Sequence, residues 1–522
     1  MQSYTKNYFK IYATQLLSIF INVLSLVIVI PYLSNDSKIY GIYTLCISFN
    51  IFLSYSDIGF LNAGYKYASE YYAKNKKNEE IKIIGFLTFI LLIFTLLFAV
   101  VIIIFSFYPS WLIKDISTAK DISVAKNLLL LLALFSPNML IQRILQIIYG
   151  VRVQDYILQT ILVVVNALKI ASVYFFIKNG QCNIIGYFLF CQITALIGLL
   201  VGVFLAKRKF SVSFKSIIAN TRFSRETYRS IKGLALSSLY ITIAWILFYE
   251  FDPYAIAKLS GAEAVAYYSV GLTCLAFFRS IFGALFNPFN ARFNHFVALK
   301  NFEGLANFSK TVICILLPAI MFPTLALSLL SKQFVYTWIG DKYQQSVQIV
   351  ALLSLCNLFA FINYPAGILS IATKKTKFIY IISTVQIIVY WGGIILFFHK
   401  YGYIVFAYFE LACFSITSIF YTFFLCDFLQ KNIFIFLKEL IVPAILPVGL
   451  LIFSLLFLRN YLPLEKNKLY LLEVVITAIV SSGASMLLYY FTSPIFKNYI
   501  NNIFIRIKQS VTNFGGRKIK LL

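Results

Sequence analysis

The sequence predicts an all-α polytopic membrane protein with about 14 transmembrane helices. Three observations carry that reading. Apolar residues make up 61% of the 522-residue chain and charged residues only 12%, a balance that no water-soluble core requires. The apolar residues gather in runs about as long as a bilayer is thick, and a helix needs about 20 such residues to cross one. These runs are too long and continuous for barrel strands, which leaves helices as the way to satisfy the backbone in lipid. Finally, the short connectors between runs are basic on alternate sides of the membrane.

The first six spans are expected at Ile11–Leu33, Ile39–Asn62, Ile83–Tyr108, Asn127–Tyr149, Tyr156–Ile177 and Asn183–Ala206. The next six are Gly233–Phe251, Val265–Pro288, Thr311–Leu330, Val347–Ala372, Phe378–Phe398 and Gly402–Phe428. Leu440–Leu458 and Tyr470–Phe491 complete the set, as two crossings or a re-entrant pair. The seventh span is short. The first run is too long for a signal-peptide core and lacks a small-residue cleavage pattern, so it is expected to stay as the first helix. Residues 1–206 form an N-lobe, 207–232 a basic cytoplasmic loop, and 233–428 a C-lobe. Residues 429–491 hold the last helix pair and 492–522 a basic cytoplasmic tail resembling an interfacial helix.

With the N-terminus in the cytoplasm, the tails and even-numbered connectors carry 30 of the 45 basic residues. The positive-inside rule therefore places both termini in the cytoplasm. The densest inner loop holds Lys207, Arg208, Lys209, Lys215, Arg222, Arg225, Arg229 and Lys232. A net charge of +26 arises mainly at helix ends, where topology and anionic lipid account for it. Nucleic-acid binding is excluded, because no aromatic-interleaved soluble patch accompanies the charge. The eight cysteines form no CxxC pair, and with two histidines they give no zinc or haem spacing, so no metal or cofactor is expected. They read as small packing residues.

Polar side chains recur at steps of three and four, which places them on single helix faces. The first span carries Gln15, Ser18, Asn22 and Ser25; the second carries Asn50, Ser54 and Asp57. The fourth has Asn138, Gln142 and Gln146, and the fifth Gln159, Asn166 and Lys169. The seventh has Ser238, Thr242 and Asp252, and the eighth Ser269, Thr273 and Arg279. One such stripe reads as helix–helix hydrogen bonding. Six of them, from both lobes, favour a shared hydrated cavity.

Three cations lie inside spans: Arg143, Lys169 and Arg279. Charge at the bilayer centre costs about 2.5–3.5 kcal/mol on insertion scales, so such groups face an interior or a wet space. Set against few intramembrane acids (Asp57, Glu250, Glu410), they suit a cavity for phosphate or carboxylate oxygens. The competing reading pairs Lys169 with Asp57, and Arg143 lies near enough to a helix end to snorkel. Glu250-x-Asp252 is the sort of acidic pair a membrane glycosyltransferase uses, but no catalytic outer loop accompanies it. There is no phosphate-binding GxxxxGK[ST] loop and no basis for a Ser–His–Asp set, so the chain does not read as an enzyme.

A weak internal echo links the lobes. Tyr40-Gly41-Ile42-Tyr43 opens the second span, which runs to Asp57-Ile58-Gly59, and Val265-Ala266-Tyr267-Tyr268 opens the eighth after Asp252 and Gly261. With Ala63-Gly64-Tyr65-Lys66-Tyr67-Ala68-Ser69-Glu70, these segments resemble the polysaccharide transporter branch of the multidrug/oligosaccharidyl-lipid/polysaccharide (MOP) exporter superfamily. The likeness covers nearly the whole chain and is nearest to O-antigen (Wzx-type) flippases. It implies two six-helix lobes of the MATE-like MOP fold, plus a C-terminal helix pair, around a central cavity with alternating access. It also implies an inner-membrane flippase for undecaprenyl-diphosphate-linked oligosaccharides. Its partners would be membrane lipids and the polymerase and glycosyltransferases of the same polysaccharide pathway. No strong motif marks a ligand residue, so Lys169, Arg279 and Arg143 are expected as the substrate-binding cations on the charge argument alone. Gln15, Asn22, Asn50, Asp57, Gln142, Asn166, Thr242 and Asp252 are expected to line the cavity. A lipid II or teichoic-type precursor flippase, a cation-coupled multidrug exporter and a membrane glycosyltransferase or polymerase remain as alternatives.

Overall fold

Helix breaks in this chain fall where the backbone chemistry demands them. The computed structural model describes residues 2–54, 59–178, 181–373, 376–428, 430, 432–502 and 505. Among the described residues, 12 helices are long and apolar enough to cross a membrane. Two shorter apolar helices, Ser37–Leu53 and Leu239–Glu250, stand where the second and seventh spans are expected. The chain is thus a multi-pass membrane protein. It separates into two compact units, Met1–Ser269 with Ser383–Phe406, and Val270–Ile382 with Ala407–Leu522.

The first unit holds α1 (Gln2–Leu33), α2 (Ser37–Ser54), α3 (Phe60–Ala73), α4 (Lys77–Phe107), α5 (Ala119–Phe135) and α6 (Pro137–Val151). It continues through α7 (Asp155–Ser172), α8 (Ile184–Phe210), α9 (Phe214–Ala219), α10 (Arg225–Trp245) and α11 (Asp252–Ser260). Side-chain caps set several starts: Thr118 accepts from the Asp121 N–H before α5, Asn183 from Gly186 before α8, and Ser224 from Thr227 before α10. Such caps satisfy amides that a helix leaves open, each worth about 1 kcal/mol. Pro137 opens α6 at a position where its missing N–H costs nothing. Ile177–Lys178 and Gln181–Cys182 pair antiparallel before α8.

The core of this unit gathers Phe86 and Leu87 from α4, Leu145 and Ile148 from α6, Leu158 from α7 and Leu199 from α8. Small residues let backbones approach, as is usual between helices in lipid. A Cβ on Gly198 of α8 would lie 2.5 Å from Val165 Cγ2 of α7, and one on Gly41 of α2 would lie 1.7 Å from the Ala262 carbonyl oxygen. The Tyr149 hydroxyl donates to the Gly202 carbonyl at 2.8 Å, joining α6 to α8. At one end, Arg152 pairs with Glu80 at 2.7 Å with both side chains nearly sealed, and its guanidinium lies 4.8 Å from the Tyr72 ring.

α12 (Ala262–Ala298) and α16 (Thr376–Tyr401) each contribute to both units. The second unit holds α13 (Phe302–Leu329), α14 (Ser331–Trp338), α15 (Gln344–Ala372), α17 (Ile404–Phe428, from Ala407), α18 (Ile433–Leu458) and α19 (Lys468–Thr492). The last two are full-length helices of 26 and 25 residues, as two crossings require. They pack on α13 through Phe322, Ala326, Leu451, Leu455, Val474 and Tyr489. Lys310 of α13 also pairs with Glu439 of α18 at 2.5 Å. A further helical stretch, 494–502, returns Phe496 to this core. Of the expected basic tail, Arg506, Lys508, Arg517, Lys518 and Lys520 lie outside the described residues.

Candidate functional site

Lys169 sits in the last turn of α7, which packs against α1 and α8. It is half-buried, and its ammonium neighbours the Cys191 thiol of α8. Among the described residues no carboxylate pairs with it. Asp57, the acid that sequence offers as its partner, lies outside them. The same helix is tied to α1 by Thr14, whose hydroxyl donates to Gln159 Oε1 at 2.8 Å. The close Gly198–Val165 approach fixes its spacing to α8. Lys169 therefore stands on a helix held from two sides, which limits how far its charge can drift.

Arg143 is half-buried on α6 and donates to Gln146 Oε1 at 3.0 Å, one turn along the same face. Arg279, in the second unit, is half-buried on α12 beside Tyr364 of α15. The Tyr364 ring stacks on Phe286 at 5.5 Å and meets Phe282 edge-on at 5.3 Å, so an aromatic wall backs the guanidinium. The expected cavity residues Gln15, Asn50, Gln142, Asn166 and Thr242 are half-buried, whereas Asn22 is exposed. Asn138, from the same α6 stripe, is buried and donates to the Gln192 carbonyl of α8 at 3.1 Å, a helix-to-helix link.

Asp252 differs from all of these. It is 1% exposed, and its Oδ2 accepts from the Tyr268 hydroxyl at 2.6 Å and from the Tyr390 hydroxyl at 2.7 Å. The local chain explains the placement. Residues Ile246–Glu250 form a π-helical turn between α10 and α11, and Pro253 follows without an N–H to give. Such turns widen the helix and shift its hydrogen bonding. The Leu247 carbonyl accepts the Trp391 indole N–H at 2.9 Å. Phe248 lies 5.0 Å from Tyr390, and Phe251 5.7 Å from Trp391, completing an aromatic sleeve. Burying a carboxylate is tolerable only when donors meet it, and two phenols do so here. Tyr390 and Trp391 escape a reading of periodicity. The available signal is Tyr390-Trp391-Gly392-Gly393, four residues that interrupt an otherwise aliphatic run.

Two apolar grooves flank the C-terminal pair. One, of about 430 Å³, runs between α13 and α19 and is lined by Pro318, Phe322, Pro323, Val474, Ala478 and Met486. The other, of about 500 Å³, is bounded by α13, α15, α17 and α18 and includes Leu317, Phe359, Ser418, Leu440 and Ala444. Linings this apolar offer few hydrogen-bond partners to a sugar.

Neither a protein-family model nor a curated protein matches the chain. Solved structures do match it, over most of its length. A lipid II flippase MurJ in an inward closed conformation superposes with a TM-score of 0.62 at 16% identity, covering 93% of this chain and 99% of that one. An outward-facing multidrug resistance MATE family transporter of the MOP superfamily gives 0.54 at 12% identity, covering 82% and 97%. A mutant of the Vibrio cholerae MATE transporter VcmN gives 0.55 at 15% identity, covering 83% and 99%. At these identities the likeness is one of fold. This chain has the fold of the MOP-superfamily transporters.

Proposed function

We propose that this chain is a flippase for undecaprenyl-diphosphate-linked oligosaccharide repeat units, of O-antigen or a similar surface polysaccharide. It would carry them across the bacterial inner membrane by alternating access, with both termini in the cytoplasm. The observation that carries the reading is Lys169, a half-buried ammonium inside a membrane helix with no carboxylate paired to it among the described residues. A charge kept there at a cost of a few kcal/mol needs a counter-ion, and a diphosphate supplies one. Arg143 of the first unit and Arg279 of the second are each proposed as substrate-binding cations in this reading. Gln15, Asn22, Asn50, Gln142, Asn166 and Thr242, with Asp57 outside the described residues, belong in this reading to the polar surface that shelters the sugar. Asp252, expected there from the sequence, is sealed between the Tyr268 and Tyr390 hydroxyls and serves the packing instead. The apolar grooves beside α18 and α19 suit the polyprenyl tail, which stays in lipid.

Transport of this kind needs differential binding to two states rather than covalent chemistry. Membrane potential contributes about 2.3 kcal/mol for each charge carried through 100 mV. The test is the surface polysaccharide of cells carrying Lys169→Ala or Arg279→Ala at unchanged protein level. A clear loss is expected, and normal polysaccharide in both variants would remove the cationic assignment.

A second cargo, a lipid II or teichoic-type precursor, is favoured by the fold match to MurJ across 99% of that chain. Neighbouring genes for sugar-nucleotide synthesis or glycosyl transfer distinguish the two. A multidrug exporter fits the MATE matches, and drug susceptibility of a deletion strain tests it. A membrane glycosyltransferase would need Asp252 for chemistry, so glycan transfer by purified Asp252→Asn protein tests that reading.

A further inference from the structure

The segment from the last turn of α8 through α9 into the first turns of α10 holds eight cations: Lys207, Arg208, Lys209, Lys215, Arg222, Arg225, Arg229 and Lys232. All eight are exposed, and none joins an ion pair among the described residues. The loop is not a free tether. Ile217 of α9 is 2% exposed, and the Asn220 backbone lies against α4 so closely that a Cβ on Gly85 would sit 2.6 Å from its carbonyl oxygen. The Phe223 ring rests 6.1 Å from Phe86 and 6.5 Å from Phe89, and the Tyr67 hydroxyl donates to the Ser230 carbonyl at 3.0 Å.

Depth along α4 locates these contacts. Lys82, exposed and paired with Glu79 at 2.8 Å, is the last charged residue of that helix and marks the water side. Phe86 and Phe89 follow four and seven residues later, about 6 and 10 Å further in at 1.5 Å per residue. Interfacial helices bury their apolar face about 5–10 Å into the headgroup–acyl boundary. Yet Phe223 remains 55% exposed at this level, and Ile218, five residues before it, is 72% exposed, with Lys215, Arg222, Arg225 and Arg229 in the same stretch of sequence. Charges that served only to orient the chain would not need two exposed apolar side chains among them.

We infer that this loop is a binding surface for anionic phospholipid headgroups, with Ile218 and Phe223 immersed in the acyl boundary and Arg222, Arg225 and Arg229 gripping phosphate. The occupant is a lipid because exposed apolar and cationic side chains lie together in one short stretch, and a soluble anion would use only the cations. The inference is independent of what the protein transports.

The test titrates fluorescent phosphatidylglycerol, with phosphatidylcholine for comparison, into the detergent-purified full-length chain. Phosphatidylglycerol is expected to bind at least tenfold more tightly. The R222Q/R225Q/R229Q protein should lose at least tenfold of that affinity with its melting temperature unchanged. Because Ile218 is mostly exposed, Ile218→Ser should fold normally and weaken both lipids severalfold. A control neutralising exposed cations of other connectors, K126Q/K258Q/K400Q, should leave affinity unchanged. Equal binding of the two lipids, an unaltered R222Q/R225Q/R229Q protein, or an equal loss in the control would each overturn the assignment.

Discussion

α4 and the α10–α11 segment solve the same problem in opposite ways. α4 runs 31 residues without a break, and past Lys82 it carries no charge. Its backbone satisfies itself, and Leu96, Leu97 and Val100 lie exposed, as a lipid-facing surface allows. The α10–α11 segment is interrupted by a π turn and a proline, buries Asp252, and draws on Tyr268, Tyr390 and Trp391 to meet the polar groups it exposes. An unbroken helix needs little from its neighbours. A broken one hands its stability to side chains far away in sequence, so single substitutions there should be felt strongly.

That contrast can be broken or sharpened by thermal unfolding of purified variants. The largest effect is expected at the charged start of α4, the exception to its self-sufficiency. Arg152→Met leaves Glu80 buried without its partner and should cost about 3–5 kcal/mol. Next comes Asp252→Ala, which strands two buried phenols and should cost about 2–4 kcal/mol, whereas Asp252→Asn keeps an acceptor and should cost about 1 kcal/mol. Trp391→Phe keeps the ring but leaves the Leu247 carbonyl without the indole donor, for about 1–2 kcal/mol. Smallest is Leu96→Ile on the exposed face of α4, expected within about 0.5 kcal/mol of zero. An Asp252→Ala protein as stable as Leu96→Ile would erase the contrast.

Hydropathy made the spans legible because membrane length and backbone satisfaction leave the chain few choices. Even the short seventh span is foreshadowed by the crowding of Trp245, Tyr249, Glu250, Asp252 and Pro253 in one stretch. Partner choice is another matter. Tyr390 lies 138 residues beyond Asp252, and periodicity along one helix carries no information about which distant hydroxyl will face it. The stripe on α6 shows the same limit. Asn138 and Gln142 share a helical face in sequence, yet Asn138 bonds to a carbonyl of α8 while Gln142 stays half-buried. Spacing assigns a face. Only the packed neighbours decide whether that face bonds to protein or stays available to a ligand.

The most direct measurement is translocation in vesicles: purified chain reconstituted with fluorescent undecaprenyl-diphosphate oligosaccharide, followed by accessibility of the sugar on the far leaflet. A wet cationic path predicts movement that requires the protein and falls at least tenfold in Lys169→Ala at equal reconstitution. Undiminished movement in that variant would contradict the account.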